Sequence, residues 1–110
     1  MPDVPGRGLG GHGSGMADGS GLTLEFTAAP LPRIAGSETL AVPRYHTRGS
    51  KANREFLEGR IAIEATADPL GVEYAFDAQT SGGLLIAVDA AHVDRIVADR
   101  APHQPQRFVQ

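Results

Sequence analysis

The run from Phe76 to Val88, FDAQTSGGLLIAV, sets two hydroxyls and two glycines (Thr80, Ser81, Gly82 and Gly83) directly before the most apolar stretch of the chain. Two kinds of chemistry suit this arrangement. Gly82 or Gly83 can take the positive φ of a tight turn that feeds a buried strand. Alternatively, the amides of Ser81, Gly82 and Gly83 can converge on an anionic ligand, as backbone nests do. Ser81 is not read as a nucleophile, because it lacks a G-x-S-x-G setting and has no base at recognisable spacing.

Other reactive residue types are sparse. There is no cysteine, which removes disulfides, thiolate metal sites and a cysteine nucleophile. His12, His46, His92 and His103 show no H-x-x-x-H spacing and read as surface histidines. Arg44, Arg48, Lys51 and Arg54 fall in one stretch without an intervening acid. They could meet phosphates, although a solvated loop explains them as well. GRGLGG, Gly6 to Gly11, fits G-x-G-x-x-G, but only MPDVP precedes it. That leaves no room for the strand such a dinucleotide site requires.

Size and charge narrow the class. A chain of 110 residues makes one domain or part of one. The formal charge of −3 argues against a nucleic-acid binder, and no apolar run reaches the roughly 20 residues of a membrane span. The N-terminus is Gly-rich rather than basic and then apolar, unlike a signal peptide. A cytoplasmic protein is the expectation.

The elements that would position these residues read as follows. Taken alone, residues 1–21 look like flexible loop, because each interior Gly costs a helix about 0.8–1 kcal/mol relative to Ala. LTLEF alternates Leu22, Leu24 and Phe26 with polar residues, as a half-buried strand does. The next segment is cut by Pro30, Pro32, Gly36 and Pro43 and holds at best one short helix starting near Pro32. Residues 44–60 form a polar connection ending in a helical turn that Gly59 stops. Ile61 to Ile63 is a short strand. Asp68 as N-cap and Pro69 at the first helical position start a helix with Leu70, Tyr74 and Phe76 on its apolar side. LLIAV suits a strand buried on both faces, and Asp89 caps a helix carrying the stripe Val93, Ile96 and Val97.

Three stretches together carry a family resemblance. FDAQTSGGLLIAV resembles the DPQTSGGLL signature of the selenide, water dikinases, or selenophosphate synthetases. RGSKANREFLEGR resembles their GG(T/S)xxNREFL segment, and DVPGRGLGGHGSGMADGSGLTLEF resembles DVTGFGLLGHxxEMAxxSGLxxEF. The likeness runs from about Asp3 to Arg100. It implies the C-terminal domain of the superfamily that includes aminoimidazole ribonucleotide synthetase. The fold so implied is α/β (α+β), a mixed sheet with helices packed on it, incomplete at the C-terminal end. Residues 1–21 would match a degraded first motif and helix, 22–101 the domain proper, and 102–110 an irregular tail.

The resemblance also implies a function. The family makes selenophosphate, AMP and phosphate from ATP, selenide and water, with Mg2+ bridging the phosphates. The Asp of DVTGFG maps onto Asp3 as a metal ligand; Thr80 to Gly83 would turn the chain into the LLIAV strand and are also candidates to line the interdomain cleft of an intact enzyme. The family nucleophile, a Cys or selenocysteine, lies in a preceding ATP-binding domain that this sequence does not show. The chain alone is therefore expected to be inactive, with a missing N-terminal domain or a second copy as partner. Departures from the pattern are Pro5 for Thr, Arg7 for Phe, Gly10 for Leu, Gly15 for Glu and Ala78 for Pro, and they make the first helix the expected weak point. The alternatives are a non-catalytic binding or oligomerisation module, or a fragment of another ATP-dependent enzyme of the superfamily.

Overall fold

The computed structural model describes residues 6–29, 31, 33–79 and 84–100. Four helices make up its regular structure: α1 (Gly8–Ser20), α2 (Arg48–Leu57), α3 (Pro69–Phe76) and α4 (Ala90–Arg100). Single 3-10 turns at Ser37–Thr39 and Pro43–Tyr45 stand where one short helix near Pro32 was expected. The helices α1, α2 and α3 pack on one another, while α4 contacts them marginally at most.

Among the described residues there is no β-strand, so the expected mixed sheet is not seen there. Gln79 and Leu84 form only isolated bridges. The segments expected as strands run extended without a ladder. LTLEF keeps its alternation in part, with Leu24 and Phe26 half-buried and Thr23 and Glu25 exposed. LLIAV departs further from expectation. Leu84, Ile86 and Val88 are exposed instead of buried on both faces, because no described layer covers them. A strand is held by hydrogen bonds to a neighbour remote in sequence, so periodicity alone cannot supply it.

The Gly-rich segment gives the opposite correction, since Gly8 to Ser20 is a 13-residue helix. Its buried residues are Gly8, Gly10, Gly11 and Gly13. A Cβ on Gly13 would lie 2.8 Å from the Phe26 ring, and one on Gly10 would lie 3.2 Å from the Ala75 carbonyl oxygen and from the Leu57 side chain. The poor helix propensity is offset by contacts that only a bare backbone can make. Gly21, at φ 66°, ends the helix as a left-handed cap.

The core between these helices is small. Leu31, Leu57 and Phe76 are the buried hydrophobic residues among those described, with Leu57 only 2% exposed. Capping contributes the rest of the local order. Thr47 accepts from the Ser50 N–H at the start of α2, and the Asp89 carboxylate accepts from the Ala91 N–H at the start of α4. Asp68 accepts from the Gly71 N–H, with Pro69 following it, as expected for α3.

Asp68 also pairs with Arg33 at 2.5 Å. The hydrogen bond from Arg33, then that from the Gly71 amide, holds the Asp68 carboxyl below its ordinary value of 3.8. A depressed folded-state value means that this contribution is complete above the unfolded-state value and is lost as pH falls through the folded one. Denaturant midpoints measured from about pH 6 down to pH 3 should therefore fall less steeply for Asp68→Asn than for the wild type. Equal slopes would remove Asp68 from the acid response.

Candidate functional site

One face of α2 organises the junction between the other helices. Ser50, Asn53 and Leu57 are spaced three and four residues apart and so share a face. Leu57 fills the core, while Ser50 and Asn53 bond to the chain leaving α3. The Ser50 hydroxyl donates to the Asp77 carboxylate at 3.1 Å and accepts from the Ala78 N–H at 3.2 Å. The Asn53 amide donates to the Phe76 carbonyl at 3.1 Å, one of the carbonyls a helix end leaves unpaired. It donates also to the Gly6 carbonyl at 2.9 Å. The Gly6 N–H in turn donates to the Gln79 carbonyl at 2.7 Å.

Gly6, just before α1, thus lies beside Gln79, just after α3. Asp3 stands three residues before Gly6 in the sequence, and Thr80 follows Gln79. Asp3, Thr80, Ser81, Gly82 and Gly83 themselves lie outside the described residues.

A second cluster flanks this junction on the side of α3. Arg54 reaches Glu73 at 2.6 Å and lies over the Phe76 ring, 4.3 Å from its centroid. His46 approaches the other Glu73 oxygen at 3.4 Å. Of the basic stretch considered for phosphate, Arg54 is thus engaged by an acid, and Arg44 lies over the Tyr45 ring. Sequence reading missed this arrangement because Glu73 lies 19 residues beyond Arg54, on another helix.

Among the described residues no group of three or more His, Asp or Glu side chains could hold a metal ion. The residues described do not by themselves fit a magnesium site. No described helix is long and apolar enough to cross a membrane.

Selenide, water dikinases are similar to this chain over most of its length. Over 92 residues the chain is 42% identical to the selenide, water dikinase of Nitratidesulfovibrio vulgaris strain Miyazaki F. The chain matches part of a selenide, water dikinase. That alignment takes in 84% of this chain and 26% of the relative. The selenide, water dikinase of Caldanaerobacter subterraneus subsp. tengcongensis is 37% identical over 94 residues, 86% of this chain and 27% of the relative. That of Bdellovibrio bacteriovorus is 32% identical over 108 residues, 97% of this chain and 31% of the relative. The chain therefore spans between a quarter and a third of the length of the selenide, water dikinases it matches. No protein-family model matches the chain, and no solved structure matches it.

Proposed function

We propose that these residues form the C-terminal part of a selenide, water dikinase, an ATP-dependent phosphotransferase, and act only together with the remainder of that enzyme. The observation that carries this reading is the asymmetry of the match, which covers 84% of this chain but 26% of the relative. Phosphoryl transfer needs several charged groups converging on the phosphates, and the described residues hold no acidic cluster to supply them. Asp3 would contribute one carboxylate to magnesium when the remaining ligands come from the rest of the enzyme. The TSGG run would face the cleft between the two parts.

The extended segments 22–26, 61–63 and 84–88 would enter a mixed sheet in the complete protein. Their apolar side chains support this, since Leu22, Ile63, Leu84, Ile86 and Val88 are all exposed here. The partner would be the N-terminal part of the enzyme, within a homodimer, with ATP and selenide as substrates.

Titration calorimetry tests the proposal against a non-catalytic module. The chain alone should give no heat with Mg-ATP. Adding the residues of the Nitratidesulfovibrio relative that lie outside the match should produce nucleotide binding that exceeds the sum of the two parts. Binding no greater than that of the added part alone would favour the module, which keeps the fold without the reaction.

A further inference from the structure

We infer that Asn53 is a positioning residue that sets the separation between Gly6, just before α1, and the chain leaving α3 from Phe76 to Gln79. The inference rests on the dikinase reading for its catalytic meaning, and on geometry alone for its structural content. An Asn side-chain amide has two N–H donors on one nitrogen. At Asn53 they serve two carbonyls from different parts of the chain, Gly6 before α1 and Phe76 at the end of α3. Gly6 is gripped a second time, because its own N–H donates to Gln79. The three bonds close a ring that runs from Asn53 through Gly6, Gln79 and Phe76 and back to Asn53.

Neighbouring groups hold Asn53 itself in place. One turn earlier on the same helix, Ser50 bonds Asp77 and Ala78. One turn later, Leu57 is buried in the core. The side chain is half-buried and carries no charge, so it fixes distance without adding to the field of the site. Neighbouring side chains have other partners. Arg54 is occupied by Glu73, and Lys51 and Glu55 are exposed on other faces of α2. Asn53 is the only described side chain that donates to the Gly6 carbonyl. Its effect on chemistry would be indirect, through the spacing of groups on the two segments, where a shift of about 1 Å can cost a hundredfold in rate.

Two variants of the full 110-residue chain separate this role from general stability. Asn53→Asp keeps the size of the side chain but has no N–H to give, whereas Asn53→Gln keeps both donors on a longer stem. Amide hydrogen exchange at Gly6 should speed up about tenfold in Asn53→Asp, with the amides inside α2 and α3 nearly unchanged, and Asn53→Gln should recover part of the protection. After complementation with the missing residues of the Nitratidesulfovibrio relative, Asn53→Asp should lower kcat for AMP release about tenfold while KM for ATP stays within about twofold. Unchanged exchange at Gly6, or protection lost equally through α1, α2 and α3, overturns the inference. A complemented wild type that releases no AMP refutes the dikinase reading instead, and the exchange measurement still decides the role of Asn53.

Discussion

Replacing Gly8 by valine is expected to abolish the cooperative unfolding transition of the 110-residue chain. Gly8 sits at φ 68°, in the left-handed region, at the first position of α1. A β-branched residue is a marked outlier there, and the strain alone costs about 1–3 kcal/mol. Space is also lacking. A Cβ on Gly8 would lie 2.7 Å from the Asp77 carbonyl oxygen and 3.1 Å from that of Ala75, both backbone atoms at the end of α3. Relieving such an overlap costs typically about 1–3 kcal/mol more. Small domains are stable by about 5–15 kcal/mol in total, and the described core here contains only three buried hydrophobic side chains. The combined cost of about 2–6 kcal/mol should therefore remove most of the stability of a chain at the lower end of that range. Gly15→Ala supplies the contrast, because a Cβ there meets nothing within 4 Å and the residue lies inside the helix. It should stabilise the chain by roughly 0.5–1 kcal/mol. Circular dichroism during thermal or urea unfolding reads both outcomes. A Gly8→Val chain that melts like the wild type would show that α1 does not pack on α3 as described.

The same glycines explain where sequence reading succeeded and where it failed. Helix starts signalled by local chemistry were legible. Asp68 before Pro69 caps α3, and Asp89 caps α4. Both depend on bonds between residues two or three apart, which a sequence displays directly. Helix α1 was hidden, because Gly8, Gly10, Gly11 and Gly13 lower helix propensity and yet form its buried face. The departure of Gly10 from the leucine of related motifs reads as lost apolar area in the sequence. In the structure it is what admits the Leu57 and Ala75 contacts. Helix α2 was read mainly as a polar connection for a related reason. Its inward face is Ser50, Asn53 and Leu57, of which two are polar and bond to backbone far along the chain.

The candidate site was legible only through motif resemblance. The NREFL run could be matched to the dikinases, but nothing in its spacing shows that Asn53 binds Gly6, 47 residues away. The expected sheet failed for a comparable physical reason. LLIAV has the composition of a buried strand, but burial depends on layers packed against it, and no described layer covers Leu84, Ile86 or Val88. The connecting segment carries further uncovered apolar side chains at Ile34, Leu40, Val42 and Tyr45, with Ile34 83% exposed. Singly exposed apolar residues are ordinary. Here they are concentrated in one segment, beside the bare extended runs.

The largest functional effect expected is the difference between the chain alone and the complemented chain. The residues described bring together no acidic cluster for a metal, and the sequence contains no cysteine. Enzymes accelerate reactions by about a millionfold or more, and most of that depends on groups held in place around the reacting phosphate. Half of such a constellation should give a rate indistinguishable from background. Selenide-dependent release of AMP from Mg-ATP is therefore the most direct measurement. The purified 110-residue chain should release none, and AMP should form once the residues of a related dikinase that lie outside the match are added. Release of AMP by these 110 residues unaided would contradict the account.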